Sequence, residues 1–308
     1  MSHVVPTSRK QPVEVMVAVL PRDRCQLTSD LIALAKPRVL LMVLATTLVG
    51  YFVALTGPAD YARLAHLLVG TLLAAGGTLA LNQYVERDVD ARMERTRRRP
   101  LPDGRLQPLE ALLFASALTF LGIAYLAASV GVAVAILTLS TTVLYIGAYT
   151  PLKVRSASCM LVGAVPGALP PVTGWVAARG DFGLGAAALF GILFLWQLPH
   201  TLAIARLYAE DYARAGVRVL TVADSHGALA ERQIVSSTLS LVAVSLLPTV
   251  MGISGIAYFV IACALGLGLL ATGLAHAKTS STASARRVLL ASLMYLPLLL
   301  AVLAFDKP

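Results

Sequence analysis

Nine stretches of about 20 mainly apolar residues run through this chain, centred near Ala45, Leu72, Leu118, Leu139, Val165, Leu193, Val244, Leu265 and Leu296. That feature restricts the fold more than any other. Within a bilayer, each backbone amide must find its partner inside the protein, and a run of this length does so as a helix. The whole chain is 57% hydrophobic and 13% charged, against about 25% charged for a typical soluble domain. The reading is an all-α polytopic membrane protein with nine transmembrane helices, residues 33–308, preceded by a short cytoplasmic arm, residues 1–32. The arm has no long apolar segment and no small-residue cleavage site, so it does not read as a signal peptide. Within the fifth stretch, Pro166, Pro170 and Pro171 predict a broken helix that shapes a cavity.

The positive charges orient these spans. Of the 25 Lys and Arg residues, only Arg63, Arg179 and Lys307 fall outside if the N-terminus is cytoplasmic and the C-terminus is not. Removing or adding one span would scramble that segregation. The net charge of +9 therefore reflects topology and anionic partners rather than nucleic acid. The cysteines, Cys25, Cys159 and Cys263, form neither a disulfide framework nor a metal-binding spacing.

The acids are unevenly placed. Most lie in two long inner loops, after the second and sixth spans, which hints at two helical halves facing each other. The first loop begins NQYVERDVDARMERTRRRPLPDGR from Asn82. If the second helix continues for two turns, Asn82, Glu86 and Asp90 share one face over a row about 12 Å long, with Asp88 on the opposite side. An amide and two carboxylates in a row suit a hard cation such as Mg²⁺, completed by water and phosphate oxygens. The arginines that follow suit bidentate phosphate contacts. The bland alternative is a solvated loop, so the reading needs support elsewhere. RLYAEDYARAGVRVL, from Arg206, supplies it as a facing wall with Tyr208, Glu210 and Asp211. Lys153, in YTPLKVR, enters from a third loop, with a snorkelling interfacial lysine as its plainer reading.

With these segments in view, the chain resembles the UbiA superfamily of intramembrane prenyltransferases. Asn82, Glu86 and Asp90 fall on the positions of the family's first acidic motif, with Glu in place of its middle Asp, and Gln83 departs from its first Asp. The second motif is degenerate around Tyr208 and Asp211. Within the family, NQYVERDVDARMERTRRRPLPDGRL, YTPLKVR, GAVPGALPPVTGW, LFLWQLPHTLAIA and DYARAGVRVL resemble the branch that farnesylates protohaem IX. They cover residues 82 to 220 in order.

That resemblance implies transfer of farnesyl from farnesyl diphosphate to a vinyl group of haem b, with water addition giving haem O. It implies catalytic roles for Asn82, Glu86, Asp90 and Asp211, and Mg²⁺ on Glu86, Asp90 and Asp211. Arg97, Lys153 and Arg155 would bind diphosphate. His200, near the inner end of the sixth span, either ligates haem iron or hydrogen-bonds a carbonyl freed by Pro199. Trp196 either packs on the porphyrin or belongs to the core. The implied partners are farnesyl diphosphate, haem b, membrane lipid, and haem A synthase or terminal oxidase assembly proteins. The implied location is a bacterial plasma membrane rather than a mitochondrial inner membrane. Two other acceptor or role assignments stay open: an aromatic quinone precursor as acceptor, and a non-catalytic haem assembly factor. A transporter would carry charges in the middle of its spans, and these spans carry none.

Overall fold

The computed structural model describes residues 24–224 and 228–307. Most of the expected cytoplasmic arm, including Arg9, Lys10 and Arg22, lies outside the described residues. Among the described residues, nine helices are long and apolar enough to cross a membrane: Pro37–Ala54, Tyr61–Asp90, Pro108–Ser129, Val132–Leu152, Cys159–Arg179, Leu184–Leu207, Ala228–Val250, Ile256–Thr279 and Thr282–Phe305. Each centre read from the sequence falls inside one of them. The protein is an all-α integral membrane protein, and its outward faces carry the apolar side chains lipid requires, such as Leu41, Phe120 and Leu267.

A further helix, Arg24–Leu34, precedes the first span. It lies over the end of the bundle that carries the first long loop. Leu34 packs there with Ala80, Leu101, Leu106 and Ala111. The buried Asp30 carboxylate accepts from Arg105 of the first long loop. The last part of the arm is therefore ordered against the membrane domain.

The spans pack through small residues. The first and fifth spans meet where Gly50 faces the Pro171 carbonyl and Gly174 faces the Thr47 carbonyl. A Cβ at either glycine would come within 2.0 Å of that oxygen. Helices in lipid gain little from the hydrophobic effect against one another, so close backbone approach of this kind is a main source of their association. Gly77 and Gly122 make the same approach between the second and third spans. The sixth span contacts the fifth, seventh and ninth, which makes it the centre of the second half of the bundle. Buried tyrosine hydroxyls are satisfied: Tyr51 donates to the Asp60 carbonyl at 2.9 Å, Tyr258 donates to the Ser245 carbonyl at 2.7 Å, and Tyr295 pairs with Ser245 Oγ at 2.6 Å.

The expected break in the fifth span does not occur. Cys159–Arg179 is one continuous helix with all three prolines inside it. Each proline forfeits only one amide bond, and the segment from Pro170 to Ala177 is buried throughout against its neighbours, which keep the helix continuous. Two other spans are irregular: the seventh is interrupted at Leu246, just before Pro248, and the fourth changes its helical pitch. Its helix Val132–Val143 widens into a π-helical segment, Leu144–Tyr149, before closing with Thr150–Leu152. π turns of this kind are frequent at functional sites.

Gly174→Ala is expected to destabilise the bundle by about 1–3 kcal/mol, because the new methyl has no room. Gly57→Ala, with nothing within 4 Å of its Cβ, should have little effect. Thermal unfolding of both variants in detergent, beside the parent, measures the difference.

Candidate active site

The second span runs on to Asp90, two turns beyond its apolar part. Asn82, Glu86 and Asp90 lie on its inward face at 0%, 8% and 1% exposure, while the Asp88 side chain is 81% exposed on the other side. Buried carboxylates are costly unless paired, and each has a cation. Glu86 Oε1 accepts from Lys153 Nζ at 2.7 Å, and Asp90 Oδ2 accepts from Arg99 at 2.6 Å. Asn82 is held on both sides. Its Oδ1 accepts from Lys36 Nζ at 2.7 Å, and its Nδ2 donates to Thr150 Oγ1 at 3.2 Å.

The cations arrive from separate elements. Lys153 follows the π-helical segment, and just after that segment the Thr150 hydroxyl donates to the Tyr145 carbonyl at 2.8 Å, five residues back. The widened turn sets Tyr145 and Tyr149 with ring centroids 5.3 Å apart, and the Lys153 ammonium lies 4.7 Å from the Tyr149 ring. Burial works against that ammonium. Tyr149, Glu86 and Tyr145 around it more than offset this, and the Lys153 pKa is raised well above the ordinary value.

Lys36 was not singled out in the sequence. It sits in the turn between Arg24–Leu34 and the first span with φ 49°, a left-handed conformation that non-glycine residues rarely adopt. Pro37 disfavours the right-handed helical region for the residue before it. Gln83 supports the same turn from the second span. Its Nε2 donates to the Ala33 and Leu34 carbonyls at 3.0 and 2.9 Å. The carbonyls at a helix end need a donor, which an aspartate in place of Gln83 would not supply. The departure from the family's acidic pattern thus positions Lys36 over Asn82. Burial first, then the positive charge of Arg99, pushes the Lys36 pKa down to about 7.

The two long loops meet. Asp211, in the short helix Ala209–Arg214, accepts from the backbone amides of Glu94 and Arg95 at 3.4 Å each, and pairs with Arg214. Arg95 lies over the Tyr208 ring at 4.8 Å and near the Tyr212 ring at 5.8 Å. The Arg218 amide donates to the Lys153 carbonyl at 2.8 Å, joining the third loop to the second. Asp211, expected as a third metal carboxylate, therefore faces the first loop's backbone. Among the described residues no group of three His, Cys, Asp or Glu side chains is close enough to hold a metal. Glu210 and Arg155 are exposed, and Arg97 is exposed and paired with Glu94 at 2.5 Å. Arg99, nine residues after Asp90, is the loop arginine that reaches the row.

The other predicted pair sits deeper. Trp196 and His200 stack on the sixth span with ring centroids 4.7 Å apart and planes inclined by 20°. Both are half-buried. Trp196 Nε1 donates to the Ser292 carbonyl at 2.8 Å, and His200 Nδ1 lies 2.9 Å from Ser292 Oγ. The partner of His200 is thus Ser292 of the ninth span rather than a carbonyl freed by Pro199.

Residues 43–300 match the UbiA prenyltransferase family. The chain belongs to that family. Among curated relatives, the protoheme IX farnesyltransferase of Solibacter usitatus is 43% identical, covering 91% of this chain and 99% of the relative. The protein of the same name from Koribacter versatilis is 40% identical, covering 98% and 99%. That of Myxococcus xanthus is 41% identical, covering 91% and 95%. Solved UbiA-type structures share the fold at low identity. A digeranylgeranylglyceryl phosphate synthase superposes with a TM-score of 0.77 at 15% identity, covering 91% of this chain and 98% of that one. A UbiA homologue from Archaeoglobus fulgidus, bound to GPP and Mg²⁺, gives 0.60 at 16%, covering 89% and 99%. As a member of the UbiA family the chain is a prenyltransferase, and the row from Asn82 to Asp90 is its candidate active site.

Two outcomes test this geometry. Gln83→Glu places a carboxylate against two carbonyl oxygens and should cost on the order of 1–3 kcal/mol, read as a lower unfolding temperature in detergent. Lys36→Met bears on the depressed lysine. Below pH of about 7 the folded protein must hold a buried ammonium, and as pH rises towards the ordinary lysine value that cost disappears. The variant's stability relative to the parent should therefore be greatest below pH 7 and fall as pH rises. A difference independent of pH across that window would mean that Lys36 titrates as an ordinary lysine.

Proposed function

We propose that this UbiA-family enzyme transfers the farnesyl group of farnesyl diphosphate to a vinyl group of protohaem IX (haem b), and that water then adds to give haem O. The observation that carries this reading is the full-length similarity, at about 40% identity, to relatives named protoheme IX farnesyltransferase. The acidic row and the Trp196–His200 pair are both present in the same chain.

The row suits the leaving group. Glu86 and Asp90 are oxygen donors of the kind Mg²⁺ takes with water and phosphate oxygens, and the Archaeoglobus homologue was solved with GPP and Mg²⁺. They would hold Mg²⁺ here, with Asn82 beside them. When bound, the ion supplies positive charge against the negative charge that grows on diphosphate as its C–O bond breaks. Lys153, Arg99 and Lys36, which neutralise or cap the row, are the cations at hand for diphosphate oxygens. Asp211, with Tyr208 and Tyr212 gripping Arg95, holds the arginine-bearing loop across the site.

Diphosphate departs with the electron pair of the broken bond and leaves an allylic cation. The vinyl π electrons of the acceptor form the new C–C bond. The cation that results on the porphyrin side chain takes up water and releases a proton, leaving a hydroxyl. No serine or cysteine nucleophile is needed. The apolar bundle keeps water from the first cation until the C–C bond has formed. Trp196 and His200 would hold the porphyrin. The lysine and arginine distribution supports a cytoplasmic side for the row, with the C-terminus outside, and the bacterial relatives support a plasma membrane.

Membranes carrying the protein, given haem b, farnesyl diphosphate and Mg²⁺, should yield a haem heavier by farnesyl plus hydroxyl in mass spectrometry. Glu86→Gln should lower turnover by about 10²-fold or more, since the metal's charge stabilisation amounts to several kcal/mol. Farnesylation of an added quinone precursor, with haem untouched, would move the acceptor assignment. Haem binding without turnover would favour an assembly role.

A further inference from the structure

Ser292 is fully buried in the ninth span and organises both aromatic residues of the sixth. Its backbone carbonyl takes the Trp196 indole proton at 2.8 Å. Its hydroxyl has one proton to give, and that proton has a partner, the Leu289 carbonyl, at 2.7 Å. A carbonyl can only accept. The Ser292 oxygen, 2.9 Å from His200 Nδ1, is therefore left to accept, and the proton between them belongs to the histidine. With Nδ1 protonated, Nε2 of the neutral ring carries the lone pair. Among the described residues His200 makes no other polar contact. Its ring stacks on Trp196, and the residue is half-buried rather than enclosed.

We infer that Ser292 is a positioning residue that fixes His200 in the Nδ1–H tautomer, so that Nε2 is presented as the ligand to the iron of the porphyrin acceptor. The inference rests on the haem reading above. Its logic is general. A histidine that binds a metal through one nitrogen donates the N–H of the other to a fixed acceptor, which sets both the tautomer and the ring plane. Here the acceptor is a hydroxyl whose own proton is committed elsewhere, and the ring plane is held by the indole that the same residue anchors. His200 lies seven residues before the inner end of its span at Leu207, about 10 Å into the bundle. That is deeper than the acidic row's last carboxylate, which stands at the inner end of the second span. An iron ligand there would hold the porphyrin within the bundle.

Haem b titrated into the purified protein in detergent provides the test, followed by absorption, electron paramagnetic resonance and resonance Raman spectra of the iron. The parent should show histidine-ligated haem, and His200→Ala should lose that signature. Ser292→Ala should bind haem about tenfold more weakly, the usual loss for removing the partner of a ligating histidine, with a heterogeneous iron–histidine band. Ser292→Thr, which keeps the hydroxyl, should restore both. Farnesyl diphosphate binding by the Ser292 variants reports that they are folded. A histidine-ligated spectrum that survives His200→Ala overturns the ligand. An affinity and spectrum unchanged by Ser292→Ala overturn the positioning role. A parent that binds farnesyl diphosphate but no haem brings down the haem reading itself, and this inference with it.

Discussion

Charge at the end of a membrane helix must be matched where it stands. Glu86 and Asp90 are too buried to be solvated by bulk water, and each is answered by a cation from another part of the chain: Lys153 from the third inner loop and Arg99 from the first. Much of the inner architecture follows from that requirement. The long loop must fold back to bring Arg99 to Asp90. The fourth span must deliver Lys153 at the right height. The turn before the first span must lower Lys36 onto Asn82. Asp211 then ties the second long loop to the backbone of the first, so the inner ends of both halves of the bundle are joined through polar groups.

The same pairings prepare a site for an anion. Lysines and arginines that neutralise carboxylates in the free protein are already assembled, partly desolvated, where a diphosphate would meet them. Little side-chain ordering then remains to be done on binding, which is the cost that weakens recognition by flexible loops. The depressed pKa of Lys36 belongs to this picture. An amine held close to Arg99 and away from water is poised to gain a proton when a polyanion arrives.

Much of this was legible in the sequence, for particular reasons. Apolar runs announce spans because lipid enforces the helix, and the row from Asn82 to Asp90 is visible because i, i+4 and i+8 share a face. The partners are not visible in this way. Lys36 and Lys153 are 46 and 67 residues from the groups they bind, and no local pattern marks such a pair. Gln83 reads as a lapse from an acidic motif until the carbonyls it serves are seen. Ser292 is an unremarkable serine in an apolar helix, and only the histidine across from it gives it a role. The prolines of the fifth span misled in the other direction. They mark a helix that survives because its neighbours hold it, while the irregularity nearest the acidic row, the π-helical segment, has no residue signature at all.

That segment has an evolutionary consequence. A π turn is in effect one residue inserted into an α-helix, so the lipid-facing stripe before Leu144 and the polar register after Tyr149 belong to two different helical phases. Deleting a single residue between them would restore a regular helix and leave the membrane-embedded half of the span undisturbed. It would also leave Lys153 near its place around the axis, because the wider turn already absorbs the extra residue, whereas a deletion in the regular part, Val132–Val143, would swing Lys153 by about 100°, off the row it serves. The position of Lys153 therefore holds chain length more tightly before Leu144 than within the turn itself, and tolerance to a single-residue deletion should change abruptly at Leu144.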